Sequence, residues 1–206
     1  MKKLLFILLF LFAPILEAQT LVDSYSESNR DAFIPIYTNN SVQVSQGFKG
    51  NGYKLSSCKF YMSKIGTVSN YTRAYLYTNG GSTFGSDDIP TGAALASSTL
   101  YENTAGSLPG YANFSLVTFT FDQTYVLVNN TNYCIVVEFD GGGNSDNKVV
   151  VGLKGSSIDG KGSVALKQTT WATYGFRTCC FYVYGTAPPA GGATKHDKPP
   201  IIRISQ

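Results

Sequence analysis

The sequence predicts an all-β protein: a single-domain antiparallel jelly-roll β-sandwich behind an N-terminal signal peptide. Two observations predict it. From Phe114 to Phe139 the chain reads Phe-Ser-Leu-Val-Thr-Phe-Thr-Phe, Asp-Gln-Thr, Tyr-Val-Leu-Val, Asn-Asn-Thr-Asn, then Tyr-Cys-Ile-Val-Val-Glu-Phe. Runs of β-branched and aromatic residues broken by Asx and Thr clusters are the pattern of consecutive antiparallel strands joined by turns. The same grammar recurs on both sides of this block, and no window after residue 19 spaces its apolar residues as a helix would. Layers of short strands around one core follow.

The elements follow in order. Residues 1–18 combine Lys2 and Lys3, an apolar run from Leu4 to Leu16 and a small residue, Ala18, before Gln19. That reads as a secretory leader, too short to span a bilayer comfortably, with an uncleaved membrane anchor as the competing reading, and no later segment is apolar enough to cross one. Residues 19–40 read as an arm with a short edge strand at Phe33–Ile36, because Pro35 lacks a ladder donor. Strands are expected over Ser41–Phe48 and Leu55–Lys64, the latter with Cys58, Phe60 and Met62 on one face and Lys59, Tyr61 and Ser63 on the other. Thr72–Thr78 repeats the alternation, setting Ala74 and Leu76 against Arg73, Tyr75 and Tyr77. The glycine-rich stretch 79–92 is expected to cross between sheet edges. A weaker strand over Ala93–Tyr101 precedes the central block, and Val149–Leu153, Ser163–Gln168 and Cys179–Gly185 complete the sandwich, which spans residues 19–185. Residues 186–206 form a Pro/Gly linker and a tail in which Ile201–Ser205 has the composition of a strand without a sheet.

Charged residues are 14% of the chain and the net charge is +3, of which the leader carries +1 and the tail +2. The sandwich is electroneutral. It contains no cluster of Lys and Arg, which argues against nucleic acid as a partner. With 14 tyrosines and few charges, its surface suits neutral polar partners such as glycans, or copies of itself.

Four cysteines, Cys58, Cys134, Cys179 and Cys180, are disulfide candidates in an exported chain. Pairing Cys179 with Cys180 closes a strained ring, so two pairings remain, each linking the last strand to Cys58 and Cys134. The alternative is that they are small buried hydrophobes. Zinc is not expected, given their spacing and the position of the single histidine, His196, in the tail.

The motifs Gln46-Gly-Phe48, Leu55–Lys64, Pro90–Ser98, Val117–Phe121, Leu127–Val137, the lone Trp171 and Phe181–Gly185 occur in an order that resembles extracellular jelly-roll modules of bacterial surface and phage-associated proteins. These modules are similar to carbohydrate-binding modules. The resemblance implies an accessory, non-catalytic domain. One departure stands out: members often carry an acidic residue shortly before the final aromatic strand, where this chain has Arg177, Thr178, Cys179 and Cys180.

Catalysis is not expected. A nucleophile-base mechanism needs a histidine in a folded cleft, and His196 lies outside the sandwich. Asp87, Asp88, Glu102, Asp122, Glu138, Asp140, Asp146 and Asp159 could in principle supply a glycosidase pair, but most occupy turn positions where Asp binds backbone amides. Trp171 with Tyr174 is the first candidate ligand platform, with burial in the core as the competing role. Tyr61, Tyr75 and Tyr77 form the second, lining one face if their strands pair. Asp140, Asn144 and Asp146 offer oxygen ligands for a structural calcium ion, although without a closing bidentate glutamate a plain hairpin loop is the simpler reading. No other cofactor is expected. The expected function is a secreted module that binds carbohydrate or another surface polymer; the alternative is a subunit of a filament, envelope or virion that docks Ile201–Ser205 on a neighbour.

Overall fold

Side-chain alternation fixes which residues face inward, and the computed structural model, which describes residues 18–38, 42–100, 102–156 and 160–188, shows how the strands are shared between two layers. The predicted leader, most of the linker and the C-terminal tail lie outside the described residues. Fourteen strands and two 3-10 turns, without an α-helix, occur among those described. They are β1 (Gln19–Tyr25), β2 (Ala32–Ile36), β3 (Gln43–Lys49), β4 (Lys54–Ile65), β5 (Tyr71–Asn79), β6 (Pro90–Ser97), β7 (Asn103–Thr104), β8 (Ser115–Thr120), β9 (Asn132–Phe139), β10 (Lys148–Lys154), β11 (Val164–Lys167), β12 (Trp171–Thr173), β13 (Thr178–Cys179) and β14 (Phe181–Thr186).

Two seven-stranded antiparallel sheets result. The first runs β1-β14-β4-β10-β13, with β2 also on β10 and β8 also on β4; the second runs β12-β11-β3-β9-β5-β6, with β7 on β5. The fold class read from the sequence is therefore the one observed, an antiparallel sandwich. Phe60, Phe119 and Phe181 fill the core from the first sheet, Phe48, Leu76 and Ile135 from the second. Phe60 and Phe119 meet edge to face with ring centroids 6.4 Å apart. Burying such rings contributes roughly 1.5–3 kcal/mol each.

One polar side chain crosses this apolar layer. Gln46 of β3 is fully buried. Its Oε1 accepts the Cys179 N–H at 2.7 Å, and its Nε2 donates to the carbonyls of Gly47 at 2.9 Å and Gly162 at 2.6 Å. Since Cys179 belongs to the first sheet and Gln46 to the second, the carboxamide bolts the two together.

Several expectations are corrected. β4 and β5 do not pair; they lie in different sheets. The central block crosses the sandwich, with β8 against β4 and β9 between β3 and β5, and the run 125–128 between them makes only an isolated bridge, Val126 to Lys54. The stretch 80–89 does not travel between sheet edges, since β5 and β6 pair directly. Residues 19–25, read as part of an arm, form β1 against β14.

The expected disulfides are absent, and the four thiols are free and buried. Strand register gives the reason. Cys58 stands opposite Val183, four residues from Cys179, which is roughly 13 Å along a strand and beyond the ~7 Å a disulfide spans. Cys134 alternates with the inward-facing Tyr133 and Ile135, so it lies on the far side of the second sheet, with a whole layer between it and Cys179. Desolvation holds the Cys58 and Cys179 thiols well above their usual range and pushes Cys134 and Cys180 up to about 12.

All four thiols are expected to resist a thiol reagent in the native protein and to react together once denaturant unfolds it; rapid labelling of any one under native conditions contradicts the packing described. Gln46→Leu leaves the Cys179 N–H and the Gly162 carbonyl buried without partners. At ~1–3 kcal/mol for each of these two groups, it should lower stability by roughly 2–6 kcal/mol in a denaturant melt.

Candidate functional site

The outer face of the second sheet is built from residues that alternate with its core positions. Register aligns them in rows across the strands. One row runs Trp171, Lys167, Gln43, Glu138, Arg73 across β12, β11, β3, β9 and β5. The next runs Thr173, Ala165, Ser45, Val136, Tyr75, and a third brings Gly47, Cys134 and Tyr77 together. Small residues thus occupy the middle of the face, and large rings occupy its flanks.

The rings lean inward over this floor. Tyr77 meets Trp171 with centroids 6.5 Å apart, and Tyr75 meets Tyr77 at 6.3 Å. All three are half-buried, while Ser45, Cys134, Val136 and Ala165 beneath are fully covered. The loop 80–89 closes one end. Asp88, with no exposed surface, accepts the Ser163 and Gly85 N–H groups at 2.5 and 2.8 Å and bonds the Asn79 amide. Gly47 lies directly under that carboxylate, where a Cβ would stand 2.5 Å from the Asp88 Cγ, so only glycine fits there.

The other end is polar. Glu138 accepts the Gln43 amide at 2.9 Å. The Arg73 guanidinium lies 5.2 Å from the Tyr75 ring centroid and donates to Ser98 and Ser97. A cleft of about 130 Å³ opens there among Arg73, Tyr75, Leu100, Glu138 and Asp140. Lys167 caps the opposite flank, its ammonium 5.8 Å from the Trp171 ring centroid. Away from the buried Asp88, Arg73 and Lys167 offset Glu138 and Asp140, so flat aromatic surface adjoins both donors and acceptors. Burial, and then the hydrogen bond to the Glu138 carboxylate, push the Tyr75 phenol up to about 12; burial and the same carboxylate raise Tyr77.

The structure brings Trp171, Tyr75 and Tyr77 together, a grouping that periodicity alone did not make because it joins strands far apart in sequence. Trp171 is not a core residue; it faces outward from an edge strand. Tyr174 is not its platform partner: it falls one residue past β12, where Arg177 lies 4.0 Å from its ring centroid. Tyr61 is on the opposite side of the molecule, facing out from the first sheet. Gln43, Arg73 and Lys167 do not stand out as site residues in the sequence, and Glu138 does so only among the acids of a possible glycosidase pair, although their positions in alternating strands carry the signal. In the loop after β9, Asn144 Oδ1 accepts the N–H groups of Asp146 and Asn147, both at 2.9 Å, so it closes a turn. Asp146 is held by Ser145 and Asp140 lines the cleft; among the described residues no group of three or more His, Cys, Asp and Glu side chains converges as metal ligands would.

Two solved structures align with part of this chain. The clostridial cysteine protease Cwp84 after propeptide cleavage aligns at 12% identity with a TM-score of 0.49, over 84% of this chain and 40% of that one. The cysteine protease and lectin-like domains of Cwp84, a surface layer associated protein of Clostridium difficile, align at 13% identity with a TM-score of 0.43, over 72% and 33%. This chain spans less than half the length of either. No protein-family model and no curated protein matches it.

Glu138→Gln removes the carboxylate that favours the neutral Tyr75 phenol, so tyrosinate absorbance from Tyr75, identified by its loss in Tyr75→Phe, should appear at lower pH. Because Tyr75 titrates higher folded than unfolded, its contribution to stability is complete below about pH 10 and is lost as the pH rises toward 12. Denaturant midpoints of the wild-type and Glu138→Gln proteins should therefore converge as the pH rises from about 10 toward 12.

Proposed function

We propose that this chain is a non-catalytic, exported module that holds a neutral, hydroxyl-rich polymer, a glycan, on the outer face of its second sheet. The observation that carries the reading is the surface formed by Trp171, Tyr77 and Tyr75 above a floor of small residues. Sugar rings present C–H faces that pack on aromatic faces, and their hydroxyls both donate and accept. The flanking row supplies both partners: Lys167 and Arg73 donate, and Glu138 accepts. With Asp140 beside them these charges cancel, which suits an uncharged chain better than an acidic one. The leader read from residues 1–18 supports export, and an extracellular or cell-surface location follows from it.

The absence of catalysis is part of the same proposal, supported by the state of the carboxylates. A glycosidase acid needs a raised pKa. Here Asp87 is lowered by hydrogen bonds from Ser82 and Thr83, and Asp122 by its bonds from Thr124. Asp88 is occupied inside the loop it closes. These acids organise turns.

A glycan array probed with the purified protein should show binding to neutral glycans. Trp171→Ala and Tyr77→Ala should each weaken the best hit by about tenfold, in line with the ~1–3 kcal/mol a lost aromatic platform is worth. Unchanged binding in both variants, or no neutral hit, removes the proposal.

A further inference from the structure

The opposite face of the sandwich carries a differently built site. In the first sheet Gly152 of β10 pairs with Phe33 of β2, and on its other side Cys180 lies between it and Tyr61 of β4: the Tyr61 N–H donates to the Cys180 carbonyl at 3.1 Å and the Cys180 N–H to the Gly152 carbonyl at 2.9 Å, leaving a notch at the glycine between two rings. Arg30 lies in the notch: a Cβ on Gly152 would stand 2.8 Å from the Arg30 Cδ and 3.2 Å from the Tyr61 ring. Its guanidinium carbon is 4.3 Å from the centroid of Phe114. The surrounding rings contact one another in sequence, Phe33 with Tyr111 at 5.2 Å, Tyr111 with Phe114 at 6.1 Å and Phe114 with Tyr61 at 5.2 Å. Stacking and cation–π attraction therefore fix the guanidinium.

No anion is assigned to it. Among the described residues the Arg30 side chain makes no hydrogen bond or ion pair. The acids that flank it in the chain bond elsewhere: Glu27 accepts the Tyr182 hydroxyl, while Asp31 accepts Lys154 Nζ at 2.6 Å and the Gly155 N–H at 2.7 Å. A preorganised fork of donors without an internal acceptor, framed by aromatic rings and with Tyr111 half exposed beside it, is the complement of an oxyanion carried on a body that packs against rings.

We infer that Arg30, seated over Gly152 and Phe114, forms a second ligand site that reads the oxyanion of an acidic sugar unit, with Tyr61 and Tyr111 flanking the sugar ring. This site is independent of the neutral-glycan face, from which it is separated by the whole thickness of the sandwich.

Calorimetric titration of the purified protein with a uronate oligosaccharide, its methyl ester, a sulfated oligosaccharide and a poly-glutamate peptide tests it. The free uronate should bind, and more weakly as salt is raised. The methyl ester should bind at least about tenfold more weakly, because it keeps the body and loses the charge. Arg30→Gln should lose about tenfold or more, and Arg30→Lys should retain part of the affinity, since it keeps the charge without the fork. Phe114→Leu, which keeps apolar volume and removes the ring under the guanidinium, should lose several-fold. Trp171→Ala should bind uronate normally, so failure here is distinguishable from failure of the neutral-glycan reading. Binding of the sulfated sugar with the same dependence on Arg30 identifies the oxyanion, not the carboxylate alone, as what is read. Uronate affinity unchanged in folded Arg30→Gln, no binding of either acidic sugar, or binding of the peptide alone overturns the inference.

Discussion

Gln46 stands where the two sheets would otherwise meet only through apolar contact, and its carboxamide gives their relative placement a direction that hydrophobic packing lacks. Apolar surfaces slide with little penalty, whereas a buried amide that loses its partners is penalised at once. By holding Cys179 of the first sheet and Gly162 beside β11 together, Gln46 sets where the β11–β12 edge lies. Trp171 rides on that edge. Its reach toward Tyr77 across β3 and β9 therefore depends on a hydrogen bond made on the other side of the same sheet.

A second constraint acts from outside. Asp88 pins the loop 80–89 over Gly47 and closes one end of the aromatic face. Burial of a carboxylate is tolerable only with this density of donors around it, and the structure provides N–H groups from Ser163 and Gly85 with the Ser163 hydroxyl and the Asn79 amide. Gly47 and Ser45 are small for two reasons at once, to admit the loop and to let the rings descend. The low charge of the chain fits the same picture: among the described residues only two ion pairs occur, Lys154 with Asp31 and Lys161 with Asp23. Neutral hydrogen bonds and rings do most of the surface ordering.

Much of this was legible in the sequence, because a period of two states which side of a strand a residue occupies. The inward set of β4 and β5 and the outward set of Tyr75, Tyr77 and Arg73 follow from alternation alone. Pairing did not follow, because alternation is the same whether neighbouring strands share a sheet or face each other across the core. That is why Tyr61 and Tyr75 were grouped although they look out from opposite sides. β1 escaped notice since its seven residues are mostly polar or exposed and are ordered by hydrogen bonds to β14, not by burial. The apolar run 125–128 misled for the converse reason, since Val126 and Val128 are exposed and the run makes one bridge. Cysteine count carried an expectation of disulfides that only register could correct.

The two outer faces show how one scaffold can present different chemistry with the same residue types. On the second sheet the cations Arg73 and Lys167 lie beside Glu138 and Asp140, and the rings close over small side chains, so the exposed aromatic surface is flat and neutral. On the first sheet a single glycine, Gly152, makes a notch in which a cation sits among rings with the local acids spent on Tyr182, Lys154 and Gly155. The difference lies in where the charged residues sit: Lys167, Glu138 and Arg73 share one row of paired strands, whereas Arg30 precedes β2 and reaches over Gly152 with no hydrogen-bonded acceptor among the described residues. A sandwich with its core between the sheets keeps the faces from communicating through charge, since the whole apolar layer separates them, and each is free to be read by its own ligand.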